Sequence, residues 1–211
     1  MKKIFFGFNV VAISLIAAMN SLSQEQVIAP IHKDGDSWQF NVREWDRITQ
    51  GSDELDGVYE LSYRGGKIEI FQGSGDQKKI LDKQPDALLA LLGSSKSQRF
   101  EHDLKFPFSI GKKWTSEYRT TISGIRGSDS RSVEVRVLGL EDVTTAAGKF
   151  SAFKLQKEDW GRFPCRWVTT YFYSPQTNSI VKSSYNGAVG EQCSGKGLKR
   201  EIELIKFGSA G

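Results

Sequence analysis

Val58-Tyr-Glu-Leu-Ser-Tyr-Arg-Gly-Gly-Lys-Ile-Glu-Ile-Phe71 is two short runs of β-formers set about a Gly-Gly pair. Gly65 and Gly66 can both take the positive φ that a two-residue hairpin turn demands, so the stretch predicts strand, tight turn, strand. Further along, Val133-Glu-Val-Arg-Val137 alternates strictly. Its three valines fall on one face and Glu134 and Arg136 on the other, the period of a half-buried strand. Phe150–Leu155, Arg166–Tyr173, Ser179–Tyr185 and Arg200–Phe207 extend the series, with Ser174-Pro-Gln-Thr-Asn178 reading as a turn by composition.

Helical signals are scarce. Asp86-Ala-Leu-Leu-Ala-Leu-Leu92 has an aspartate able to cap its start and Gly93 to close it, and spans about two turns. The expected fold class is therefore mostly β with one short helix. The architecture is an antiparallel curved sheet or half-barrel, with a closed barrel or sandwich as the alternative. Gly35-Asp-Ser-Trp38 and Gly111-Lys-Lys-Trp114 share Gly-x-x-Trp. This faint echo suggests two equivalent strands of one sheet, each opening by planting a tryptophan in the core, though two occurrences do not make a repeat.

The N-terminus reads as an export signal. Lys2 and Lys3 precede an apolar run from Ile4 to Ala18, and Ser21 and Ser23 suit a cut before Gln24. The run is shorter than the roughly 20 residues that span a bilayer. The expected organisation is a signal peptide over 1–23 and a single mostly-β domain over 24–211, periplasmic or secreted, with no integral span after cleavage. Without the signal the chain is 188 residues (211 − 23), with 27 Lys and Arg (29 − 2) against 25 Asp and Glu. That near-balance, with no cluster of five or more basic residues, argues against nucleic acid as a partner. Lys112–Lys113 and Lys199–Arg200 read as solvated strand ends. Cys165 and Cys193 are the two cysteines, and in an oxidising compartment an even pair is most simply a disulfide.

No catalytic constellation is evident. The only histidines are His32 and His102, with no His-Glu-x-x-His, Cys-x-x-Cys or Gly-x-Ser-x-Gly spacing. Glu101-His102-Asp103 reads as a polar loop. Gly195-Lys196-Gly197 lacks the flanking pattern of a phosphate loop. Glu158 and Asp159, adjacent in a strand, point to opposite faces and read as a solvated edge. No cofactor or metal is expected, and no enzymatic activity. Aromatic residues are the enriched class: Trp167, Thr169, Tyr171 and Tyr173 share one face of the strand beginning at Arg166. That face suits an apolar ligand, a sugar or a partner protein, or is simply core. Leu88 and Leu91, in a helix that is nearly all apolar, join it as candidates.

Residues 104–207 carry a further pattern. Leu104-Lys-Phe-Pro-Phe-Ser-Ile-Gly-Lys-Lys-Trp114 comes first, then Gly139-Leu-Glu-Asp-Val-Thr-Thr-Ala-Ala-Gly-Lys-Phe150, Thr170-Tyr-Phe-Tyr-Ser-Pro175 and Ile180-Val-Lys182. This order resembles uncharacterised bacterial envelope proteins of the DUF3108 type, which are similar in fold to the LolA and LppX half-barrel carriers. The resemblance implies a curved antiparallel sheet wrapped around an apolar groove. It implies an exported, non-enzymatic envelope protein that binds an apolar or amphipathic ligand, such as a lipid, or a protein partner. The alternatives are a structural or assembly factor of the envelope with no small ligand and, behind it, a hydrolase of envelope polymers.

Overall fold

The computed structural model describes residues 26–46, 56–73, 78–82, 86–93, 104–121, 128–161, 165–189 and 198–210. The expected cleavage point between Ser23 and Gln24, the triplet 101–103 and Cys193 lie outside these residues. Ten strands follow one another with one helix among them: β1 Ser37–Asp46, β2 Gly57–Arg64, β3 Lys67–Gln72, β4 Lys78–Asp82, α1 Ala87–Gly93, β5 Lys113–Thr121, β6 Ser128–Thr145, β7 Gly148–Trp160, β8 Arg166–Ser174, β9 Ser179–Val189 and β10 Leu198–Gly208.

All ten belong to one sheet in the order β4-β3-β2-β1-β10-β9-β8-β7-β6-β5. It is two antiparallel meanders, β1–β4 and β5–β10, joined where β1 pairs with β10. Gly65 and Gly66 turn the β2–β3 hairpin with φ of 55° and 80°, as the two-residue link requires.

The sheet is curled but open. Four inter-strand steps separate β6 from β10, about 19 Å in a flat sheet. Yet at the tip of the β6–β7 hairpin Ala147 donates its N–H to the Leu204 carbonyl at 3.3 Å, and Ala146 donates to Glu203 Oε1 at 2.7 Å. Only strong curvature brings those groups together. β4 and β5 remain as the two edges, with no ladder between them among the described residues, so the closed barrel and the sandwich do not apply.

The inner face of the curl is the core. Trp38, Phe40, Val42, Leu61, Val135, Leu155, Tyr171, Ile202 and Leu204 all lie on it, fully or almost fully buried. The segment before β5 adds Phe108, whose backbone bridges to Val27 in both directions. Its ring sits 5.1–6.5 Å from those of Phe106, Trp114, Phe153 and Tyr173.

Trp38 and Trp114 are both buried and each is the second residue of its strand. Gly35 and Gly111, three residues earlier, both take positive φ. The two positions are nevertheless not equivalent, because β1 is central and β5 is an edge. The echo is a shared way of entering a strand, not a duplicated half.

Candidate functional site

Six neighbouring strands of the curl change character along their inner faces, five of them at nearly the same height and β6 farther along, where Val135 faces Lys157 and Val133 faces Asp159. Period-2 alternation carries the inward stripe of β1 from Phe40 and Val42 to Glu44, and that of β10 from Leu204 and Ile202 to Arg200. On β9 it runs from Val181 to Ser183 and Tyr185, and on β8 from Tyr173 and Tyr171 to Thr169 and Trp167. On β7 it runs from Leu155 to Lys157 and Asp159, and on β6 from Val135 and Val133 to Arg131. The register aligns these residues across the sheet. Glu44 faces Arg200, which faces Tyr185, which faces Thr169, which faces Lys157. One end of the interior is thus a row of charged and hydroxyl groups.

The charges are deeply placed: Glu44 is 6% exposed, Arg200 7%, Lys157 3% and Asp159 7%. Glu44 and Arg200 form an ion pair, and Lys157 Nζ lies 3.4 Å from Asp159 Oδ2. The half-buried Arg131 lays its guanidinium 4.1 Å from the centre of the Trp167 ring, and Arg200 lies 5.9 Å from that of Tyr185. Burial pushes the Tyr185 hydroxyl up to about 12; Arg200, Arg131 and Lys157 pull against that shift and Asp159 adds to it. The phenol is therefore a fixed donor at neutral pH. Tyr59, on β2, is 4% exposed, and burial, with Glu44 and Asp56, raises its hydroxyl too, against Arg200. That hydroxyl has no hydrogen-bond partner among the described residues, and neither has Ser116 Oγ on β5.

Buried ion pairs stabilise a fold poorly, since desolvation consumes most of the Coulombic gain. Two such pairs in one row are costly where valine or leucine would serve. The links at this end of the sheet are residues 47–56, 73–77, 122–127, 161–165 and 190–197, whereas the other end is turned by 65–66, 146–147 and 175–178.

Away from the charged row the interior is apolar, and α1 lies there against β9 and β3. Leu88 and Leu91 are fully buried. Asp86, also fully buried, accepts from the N–H groups of Leu88 at 2.8 Å and Leu89 at 3.1 Å through Oδ1, and from Ile180 on β9 at 2.8 Å through Oδ2. One carboxylate both caps the helix and ties it to the sheet. Burial raises Asp86 to about 6, against the pull of the bonds from Leu89, Ile180 and Leu88. Burial, with Asp86 close by, also raises Tyr173.

The expected ligand face is located as follows. Trp167, Tyr171 and Tyr173 do share one side of β8, and it is the inner side, 6%, 0% and 1% exposed. Tyr171 and Tyr173 belong to the apolar core with Leu88 and Leu91, while Trp167 packs separately with Cys165 and Tyr185 beside the charged row. Cys165 is buried, and no cysteine among the described residues is free; Cys193 lies outside them.

Two expectations need correction. Glu158 and Asp159 are not a solvated edge. β7 is interior to the sheet, Asp159 points inward, and Glu158 on the outer face accepts from Arg166 at 2.9 Å. Arg200 is not a solvated strand end either, because the sheet continues past it and Glu44 stands opposite. Glu44, Tyr59, Arg131, Lys157 and Tyr185 were not singled out by sequence. Their signal is a charged or hydroxyl residue in phase with an apolar alternation, as in Phe40-x-Val42-x-Glu44. Among the described residues no group of three or more His, Cys, Asp or Glu is placed to hold a metal ion.

No family model and no curated protein matches the chain, so the DUF3108-type pattern has no support from that comparison. Among solved structures, the hypothetical lipoprotein YmcC of Escherichia coli K12 aligns with TM-score 0.45 and 15% identity over 84% of this chain and 90% of that one. A protein described as a lipoprotein, from Parabacteroides distasonis, aligns with TM-score 0.43 and 10% identity over 88% and 100%. A protein described as exported with a YmcC-like fold, from Bacteroides fragilis, aligns with TM-score 0.42 and 10% identity over 87% and 100%.

Proposed function

We propose that the protein is exported and serves in the bacterial envelope as a non-enzymatic binding protein, taking an amphipathic ligand or a protein partner at the inner face of its curled sheet. The observation that carries this reading is the row of buried charges beside an apolar interior, a combination that recognition explains and stability does not. The N-terminal pattern over residues 1–23 supports export. A curved antiparallel sheet is also what the DUF3108-type, LolA- and LppX-like resemblance implies, although that resemblance implies more than the one short helix found here. The part of the inner face available to a ligand is the charged end, because α1 occupies the apolar part.

A second reading, a structural or assembly factor with no small ligand, is favoured by the full burial of Leu88, Leu91, Tyr171 and Tyr173. Native mass spectrometry of protein taken from its own envelope decides between them. A retained small molecule or partner, displaced by substitutions at the charged end, is the expected result. Protein recovered bare after gentle extraction overturns the binding reading in favour of the second.

A further inference from the structure

We propose that β5 is the pairing edge for a second copy of this chain. The two β5 strands run antiparallel about a twofold axis at Tyr118, with Glu117 opposite Arg119 of the second copy and Ser116 opposite Thr120 of the second copy. The inference is independent of what the inner face binds.

An open sheet has two edges, and each leaves a row of unpaired N–H and C=O groups. β4 is five residues long and begins with Lys78 and Lys79, the usual means of blunting an edge. β5 is nine residues, Lys113-Trp-Thr-Ser-Glu-Tyr-Arg-Thr-Thr121, rich in β-formers and without proline or glycine. It pairs with β6 from end to end with no bulge, and no strand lies on its other side among the described residues. Such an edge is a ready template for another strand.

The parity of its bonds sets which groups it offers. The Lys112 carbonyl accepts from the Val137 N–H, so even-numbered residues bond to β6. The Thr115 carbonyl instead takes the Lys105 Nζ at 3.3 Å, so odd-numbered residues turn their N–H and C=O groups outward. A twofold pairing must then set odd residues opposite odd ones. An axis at Glu117 or at Arg119 brings a like charge against itself, and one at Ser116 sets Lys113 against Arg119. Two axes bring opposite charges together, each twice by symmetry: one at Thr115, pairing Lys113 with Glu117, and one at Tyr118, pairing Glu117 with Arg119.

Ser116 chooses between them. Its Oγ is buried with no hydrogen-bond partner among the described residues. About Thr115 it would face Trp114 of the second copy, whose indole offers no acceptor. About Tyr118 it faces Thr120. Even residues there form the non-hydrogen-bonded pairs, in which side chains approach most closely, so the two hydroxyls can bond. Lys105 agrees: it occupies the Thr115 carbonyl, where the first axis would lie, while Glu117 beyond it is exposed.

Sedimentation velocity on the mature chain, residues 24–211, between about 1 and 100 µM tests the proposal. A dimer is expected, weaker as salt rises. Glu117→Arg and Arg119→Glu should each weaken it about tenfold or more, because an attraction becomes a repulsion twice over, and combining them should restore it. Lys113→Glu, which matters only to the Thr115 axis, should leave it unchanged. Ser116→Ala should weaken the dimer without lowering the melting temperature measured at low concentration. Glu117→Pro removes an outward N–H, so the monomer should keep its far-UV circular dichroism while the dimer is lost. The proposal is overturned by a chain still monomeric at the top of that range, or by a dimer that Glu117→Arg and Arg119→Glu leave intact. It is equally overturned if Lys113→Glu weakens the dimer as much as Arg119→Glu does. Growth beyond the dimer would mean a head-to-tail join of β5 to β4 and overturns it too.

Discussion

Glu44 and Arg200, 156 residues apart in the chain, stand directly opposite one another in the ladder that joins the first strand to the last. Their ion pair is buried at the one seam where the two meanders meet. One register position away, Arg43 and Glu201 form a pair on the outer face at 3.3 Å, with side chains 64% and 50% exposed. The same strands thus offer a buried and an exposed ion pair side by side.

The two should behave very differently. Replacing Glu44 with Gln, or Arg200 with Met, strands a buried charge and should cost about 3–5 kcal/mol. The double replacement Glu44→Leu with Arg200→Met should recover most of that loss. Arg43→Ala should change stability by no more than about 0.5 kcal/mol, since water and salt already screen that pair. Urea unfolding of the four variants checks this; equal costs at Arg43 and Arg200 would show that the inner pair is solvated.

Asp86 makes a pH-dependent contribution with a definite sign. An acid raised on folding, here from 3.8 to about 6, is easier to ionise in the unfolded chain. Its contribution to stability is greatest below about pH 4, declines as pH rises through the window from 4 to 6, and is level above that. Asp86→Asn removes the titration. It also loses the acceptor for the Ile180 N–H, at a cost of about 1–3 kcal/mol. The stability difference between wild type and Asp86→Asn should therefore shrink between pH 4 and pH 6 and stay constant from pH 7 to 8. A difference that grows with pH in that window would show the carboxylate to be favoured as the ion.

α1 should prove to be core. Leu88 and Leu91 are fully buried and Asp86 bonds the helix to β9. Leu91→Ala should then cost about 2–5 kcal/mol, and Leu88→Asp should lower the melting temperature severely. If α1 were a cover over a groove, the same substitutions would alter binding of a fluorescent fatty acid while leaving melting nearly unchanged. Melting curves and probe titrations on the same samples separate the two.

Sequence pattern revealed the strands more fully than the site. Alternation at Val133–Val137, the Gly65–Gly66 turn and the capped run from Asp86 are local signals, each readable within a few residues. The pairing of β1 with β10 is not local, and with it went the partner of Arg200. An arginine beside a lysine reads as solvated until Glu44 is known to face it. Asp159 was misjudged for the same reason: adjacent carboxylates say nothing about which lies inside, and Lys157, two residues earlier, is its partner only because both point into the curl. The aromatic face of β8 was read correctly as a face. That its Tyr171 and Tyr173 fill the core while Trp167 borders the charges depends on where the apolar stripe ends on five neighbouring strands.

Cys165 and Cys193 should form an intramolecular disulfide. The argument is compartment and topology together. The proposed export would place both in an oxidising environment, where an even number of cysteines pairs. β8 begins just after Cys165, and β9, paired with it in an antiparallel hairpin, ends shortly before Cys193. The bond would close a loop of 28 residues (193 − 165) at the end of the sheet that carries the charged row, contributing about 3–4 kcal/mol. Cys165 packs against Trp167 and Tyr185, so the bond would anchor the link beyond β9 beside both aromatic residues. Peptide mapping without reductant should recover the two cysteines in one cross-linked fragment. Reduction, or Cys165→Ser with Cys193→Ser, should lower the melting temperature and weaken any binding at the charged end. Recovery of both as free thiols from the exported protein would refute the pairing.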